Sequence, residues 1–138
     1  VILGARCIRS PILIRVRRTA LLDIRLKRAY EEYERADGTR VLVDRLWPRG
    51  LSKKKAHIDE WMKEVAPSDE LRGFFSHEVE RWEEFRKKYF KELEARQDAV
   101  QKLIEYAEKG RLTLLFAAKD TAHNNAVALR EYLTGAQR

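Results

Sequence analysis

Two short apolar runs, far apart in the chain, limit most strongly what it can become. "RVLVDRLW", residues 40–47, opens on the unbroken triplet Val41, Leu42 and Val43, and "RLTLLFAA", residues 111–118, is apolar at every position except Arg111 and Thr113. Runs this short, bounded by polar residues, suit strands covered on both faces, as in a parallel sheet. About sixty residues separate them, mostly with helical periodicity. A connection of that length can return one strand parallel to the other, which makes an α/β domain the natural outcome. A third strand is read from "DIRLKRAY", residues 23–30, where Ile24 and Leu26 alternate with Arg25 and Lys27, as on a half-buried strand near an edge. Asp37-Gly38 gives the turn signal before residues 40–47. Residues 31–39 either close a loose hairpin or make a short crossover.

The intervening helices are readable by spacing. "SKKKAHIDEWMKEVA", residues 52–66, places Ile58, Trp61, Met62 and Val65 on one helical stripe. Pro67-Ser68 ends it, and Ser68 is suited to cap a short helix carrying Leu71, Phe74 and Phe75. From Glu78 a longer helix presents Val79, Trp82, Phe85, Tyr89 and Leu93 on one side, with Glu–Lys and Glu–Arg pairs on the other. A helix over residues 98–109 stops at Gly110, a candidate left-handed cap. The last, over residues 121–133, would bury Ala122, Ala126, Leu129 and Leu133. The expected fold is therefore a small single-domain α/β protein with a mainly parallel sheet flanked by helices. It has three core strands, and the N-terminal segment is a candidate extra edge strand.

A chain of 138 residues is long enough for one domain with a real core. Its formal charge of +7 is unevenly spread. Residues 1–22 hold five arginines and no acids, and without them 24 basic residues face 22 acidic ones. The body is thus nearly neutral, which does not support a broad footprint for duplex DNA. Arg6, Arg9 and Arg15 interrupt the apolar core a secretory signal needs. Residues 1–22 remain open as a transit peptide, an extension outside a domain spanning 23–138, or an edge strand through "PILIRV". No apolar run is long enough to span a bilayer as a helix, so no membrane partner is expected. A single cysteine, Cys7, and three scattered histidines argue against a disulfide framework and a structural zinc site, and suit a reducing cytoplasm. No metal ligand set is proposed, and nothing in the sequence names a cofactor.

Ligands of open α/β sheets bind beyond the carboxyl ends of the strands. Two segments leave strands there: "DRLWPRG", residues 44–50, and "KDTAHN", residues 119–124. If the strands are neighbours, Asp44, Arg45, Arg49, Lys119, Asp120 and His123 converge on one rim. Arg45, Arg49 and Lys119 beside a helix N-terminus suit a phosphate or carboxylate. Asp44 and His123 are the candidate acid–base pair. Asp120 is either a third catalytic group or the cap of the last helix, in which case His123 is its third residue. Asn124 and His77 complete the candidate binding set, and His57 with its three preceding lysines reads as a solvated helix start. Phosphate-loop, dinucleotide and serine-elbow motifs are absent, and Cys7 lies upstream of the first core strand, out of reach of the strand tips.

The blocks "RVLVDRLWPRGLSKKKAHIDEWMKEVAPSDELR", "FSHEVERWEEFRKKY" and "LTLLFAAKDTAHNNAVALREYL" together resemble the YeaO-like branch of a domain-of-unknown-function family, DUF488. The resemblance covers about residues 23–134 and implies one α/β domain with residues 1–22 outside it. In the broader family the first site reads D-x-R followed by P-x-S, and the second ends in a cysteine-containing E…CHR pattern. Here Asp44, Arg45, Pro48, Asp120 and His123 take corresponding places without the cysteines, so no thiol or metal role carries over. The leading expectation is an anion-accepting pocket at the strand ends, serving hydrolysis or group transfer on a phosphate-bearing or nucleotide-like molecule. Its alternatives are a non-catalytic module for nucleic acid, which the charge distribution does not favour, and a homodimeric interaction protein.

Overall fold

The structure, a computed structural model, describes residues 22–135. Strands β1 (Ile24–Arg28), β2 (Thr39–Leu42), β3 (Glu60–Trp61) and β4 (Leu112–Phe116) form one parallel sheet in the order β1-β4-β2-β3. Every residue of β4 is buried, because it lies between two strands and has both faces covered. Leu114 stands opposite Leu26 on one side and Val41 on the other. Residues 29–38 are the short crossover, since β1 and β2 run parallel with β4 between them. The candidate edge strand within residues 1–21 lies outside the described residues.

Helices α1 (Lys53–Ala56), α2 (Asp69–Phe75), α3 (Trp82–Glu94), α4 (Gln97–Lys109) and α5 (Asn125–Gly135) follow the chain order. One face of the sheet, with Ile24, Val41, Leu112, Leu114 and Phe116, packs against α2 to α5 through Phe85, Tyr89, Leu103, Leu129 and Leu133. Burial of this contiguous apolar surface is the main force holding the fold. The opposite face is smaller: Ala29, Leu42 and Leu115 lie under Trp47, Leu51, Ile58 and Trp61. Beside that apolar group sits a buried ionic cluster. Arg40, fully buried, donates to Asp37, and the Lys27 ammonium reaches the same carboxylate at 3.0 Å. Among the described residues no helix is long and apolar enough to cross a membrane.

The continuous helix expected over residues 52–66 does not form. Helix α1 ends after one turn at His57, whose φ of 48° is left-handed. Arg40 draws the freed carbonyls of Ala56 and His57 to its guanidinium at 2.8 and 3.0 Å. The Asp59 and Met62 N–H groups then donate to Arg40 and Leu42 carbonyls of β2 at 2.8 and 2.9 Å, adding β3 to the sheet. The apolar spacing was real but served two surfaces. Ile58 and Trp61 cover the smaller face, whereas Met62 and Val65 enter the larger core.

Three smaller corrections share a cause in local hydrogen bonding or exposure. Gly110 has φ 166°, extended backbone rather than a left-handed cap. Val79 precedes α3 in a 3-10 turn, Val79–Arg81, and is exposed instead of joining the apolar stripe. Helix α5 starts at Asn125, not 121, because Asp120 captures the Ala122 and His123 N–H groups at 2.9 and 3.1 Å in a preceding turn. Ala122 is accordingly exposed. Ser68 caps α2 as expected, accepting from the Leu71 N–H at 3.1 Å.

Candidate functional site

The carboxyl ends of β2 and β4 lie side by side because those strands pair directly. Beyond them the chain opens into a cleft of about 700 Å³. Asp44 forms its floor and ties three elements together. Its Oδ2 accepts from the Ala117 N–H at 2.9 Å, at the exit of β4, and its Oδ1 accepts from Asn125 Nδ2 at 3.1 Å, at the start of α5. Its carbonyl accepts from the Trp61 indole at 2.7 Å. Burial pushes the Asp44 carboxyl above its ordinary range, opposed by the Ala117 N–H, the Asn125 amide and the charge of Arg72.

Four cationic side chains line the same cleft: Arg45, Arg49, Arg72 and Lys119. Arg45 and Arg72 are partly committed to Asp69, at 3.5 and 2.9 Å, and Arg45 also reaches the Pro67 carbonyl at 3.4 Å. Arg49 and Lys119 are exposed, and neither side chain has a hydrogen bond or ion pair to any described residue. Arg49 sits in a turn closed by the Leu51 N–H on the Pro48 carbonyl at 3.3 Å, with Gly50 at φ 79°. The Tyr30 hydroxyl donates to the Arg49 carbonyl at 2.9 Å, which anchors that turn to the end of β1. His77 also lines the cleft, on a left-handed backbone (φ 59°) directly after left-handed Ser76 (φ 42°).

Asp44, Arg45, Arg49, Lys119, Asp120 and His77 therefore line one cleft, whereas His123 and Asn124 do not. His123 is not the third residue of the last helix. It lies in the turn before α5, with Nδ1 3.1 Å from Asp120 Oδ2 and its ring edge-on to Trp82 at 5.3 Å. The hydrogen bonds to Asp120, that from the Ala122 N–H foremost, hold its carboxyl below the ordinary value. Asn124 is buried and caps α5: its Oδ1 accepts from Val127 N–H at 2.9 Å and its Nδ2 donates to the Asp120 carbonyl at 2.9 Å. Asn124→Ala should thus cost about 1 kcal/mol, the usual value of a lost cap. Thermal melting reads that loss.

Arg72, Tyr30 and Asn125 belong to the cleft but were not candidates from sequence. Asn125 was legible in the "HNN" doublet, and only the four-residue shift of the helix start decided which asparagine lines the cleft and which caps the helix. Tyr30 closes the strand read over residues 23–30, so its place was legible once that strand's parallel direction was known; for Arg72 the sequence carries no signal.

The family model described as "Inactive DUF488-N3 subclade" matches residues 23–138. The chain belongs to this DUF488-N3i family. Among curated relatives, the uncharacterized protein YeaO of Escherichia coli (strain K12) is 45% identical over 112 residues, covering 81% of this chain and 97% of that protein. The uncharacterized proteins Rv3073c of Mycobacterium tuberculosis (strain ATCC 25618 / H37Rv) and Mb3100c of Mycobacterium bovis (strain ATCC BAA-935 / AF2122/97) are each 38% identical over 112 residues, covering 81% of this chain and 94% of theirs. No solved structure matches. Membership in the DUF488-N3i family agrees with the resemblance carried by the three sequence blocks.

Proposed function

We propose that this DUF488-N3i protein is a binding module for small phosphate-bearing molecules, held at the strand-end cleft without turnover. The observation that carries this is the pair Arg49 and Lys119, whose side chains have no partner among the described residues, on a cleft that Arg45 and Arg72 also line. Guanidinium groups match the geometry of phosphate oxygens, and an ammonium adds a compact charge. Turnover is harder to support. Both Asp44 oxygens already accept hydrogen bonds, Asp120 is spent on its own turn, and His123 does not line the cleft. The family's description as an inactive subclade points the same way. A single cysteine among 138 residues suits such a module to the cytoplasm.

Calorimetric titration with inorganic phosphate and with ribose 5-phosphate at low salt tests the reading. Arg49→Ala should weaken both ligands by about tenfold or more, the scale of a lost charge-assisted hydrogen bond, with melting unchanged. Removing residues 1–22 should leave affinity intact, whereas a protein tracking nucleic acid through that arginine-rich segment would lose it. An Arg49→Ala protein that melts lower but binds phosphate normally would make Arg49 structural and sink the proposal.

A further inference from the structure

We infer that the ligand is a purine nucleoside monophosphate, guanine preferred, with its base seated in a second hollow beside the phosphate cleft; this rests on the phosphate reading above. The second hollow, about 660 Å³, adjoins the first because Tyr30 lines both. A ligand reaching from one hollow into the other would pass the Tyr30 side chain. A nucleoside monophosphate has this layout, with an anionic group at one end and a flat heterocycle at the other.

The two hollows differ in chemistry in the sense such a ligand requires. Arg49 and Lys119 line only the first, with Arg45 and Arg72, while Glu31 and Glu32 line only the second, where Lys55 is the one cation among the described residues. A phosphate is therefore favoured at the more cationic first hollow, which sets a direction of binding. Tyr30 is 42% exposed, and the Arg28 guanidinium lies 4.9 Å from its ring centroid, leaving ring surface open to solvent. Bases stack on such rings regardless of sequence, and one stacked base is worth about ten- to a hundredfold in affinity. Tyr33 is less available, since His57 already stacks on it with centroids 4.2 Å apart.

The carboxylates supply the preference among bases. Glu31 is occupied by the Arg28 N–H at 3.0 Å, but Glu32 carries no hydrogen bond or ion pair to any described residue. An ionised carboxylate only accepts hydrogen bonds. Guanine offers two adjacent donors, its ring N–H and its amino group, whereas adenine sets one amino donor beside a ring acceptor. A carboxylate facing the base edge therefore favours guanine.

Calorimetry on the full chain with inorganic phosphate, ribose 5-phosphate, adenosine 5′-monophosphate and guanosine 5′-monophosphate tests this. Guanosine monophosphate should bind about tenfold or more tightly than ribose 5-phosphate, with adenosine monophosphate between them. Tyr30→Leu should reduce guanosine monophosphate to the level of ribose 5-phosphate, Tyr30→Phe should retain the advantage, and Glu32→Gln should narrow the gap between the two nucleotides. Equal affinity for all four ligands overturns the base site while sparing the phosphate cleft. Failure of all four to bind overturns the phosphate reading itself. A guanosine monophosphate advantage that survives Tyr30→Leu in a folded protein, checked by melting, also refutes the proposal.

Discussion

Gly38→Ala is expected to destabilise the protein by about 3 kcal/mol or more, adding backbone strain to a steric clash. Gly38 sits at φ 70° and ψ −136°, a conformation that residues with a Cβ rarely adopt. A Cβ there would stand 2.2 Å from the Arg111 carbonyl oxygen, a backbone atom with little freedom to move. That carbonyl accepts the Thr39 N–H at 3.0 Å, at the point where β2 meets β4. Relieving the clash would mean giving up this bond and shifting the inner pair of strands. Urea unfolding measures the loss as a lower midpoint at unchanged slope. A shift corresponding to less than about 1 kcal/mol would mean that the turn relaxes freely, against the geometry.

Asp37→Ala should cost about 3–5 kcal/mol, the range for removing one partner of a buried charge cluster. The Asp37 carboxylate accepts from Lys27 at 3.0 and 3.2 Å, from the Glu34 N–H at 3.1 Å and from Arg40. Arg40 is fully buried and Lys27 nearly so, and neither reaches water easily once the carboxylate is gone. Lys27 would keep only Glu34, which is largely exposed. Arg40 also holds the carbonyls that end α1, so its displacement would loosen β3 and the turn bearing His57.

The same cluster sets a pH response. Burial by itself would raise the Asp37 pKa, but hydrogen bonds from Lys27, the Glu34 N–H and Arg40 outweigh it and hold the value below the ordinary 3.8. A carboxylate depressed by folding contributes stability that is full above its unfolded pKa and is lost as pH falls through the folded one. Lys27 behaves oppositely. Burial would lower its pKa, yet Asp37 and Glu34 raise it above 10.5. Its contribution is full below the unfolded value and disappears as pH rises through the folded one. Denaturation midpoints followed from pH 7 into acid should fall less steeply for Asp37→Ala than for the native chain. Parallel curves would show that the cluster contributes no linkage. Gly38 and Asp37 are neighbours in one turn, so the double variant should be less destabilised than the separate losses imply.

Most of the architecture was legible because it depends on patterns visible over a few residues. Leu112 to Phe116 read as a strand covered on both faces from its nearly all-apolar run, and every residue of it is buried; the long connection after β2 made parallel pairing with β4 natural. The cleft-lining positions of Asp44, Arg45, Arg49, Lys119 and Asp120 followed from the adjacency of two strand exits. Much of what the sequence did not show was set by side-chain partners far away in the chain. Arg40 looked like the ordinary polar start of a strand, yet its buried guanidinium ends α1 sixteen residues later and turns a helical-looking stretch into β3. His123 was missed for a local reason: Asp120, three residues earlier, draws its N–H into a turn before the helix.

By itself, then, the chain's order of residues determined the fold class, the parallel inner strands, the cap at Ser68 and the rim on which the charged groups gather. These are local choices, governed by side-chain period, chain length and the need to hide apolar surface. Tertiary structure alone decided which cations of the rim have no partner among the described residues, that Arg72 and Tyr30 join them, and that Asn125 lines the cleft while Asn124 is buried as the cap of α5. Those outcomes depend on competition for hydrogen bonds among groups brought together only after folding, and spacing along the sequence carries no record of that competition.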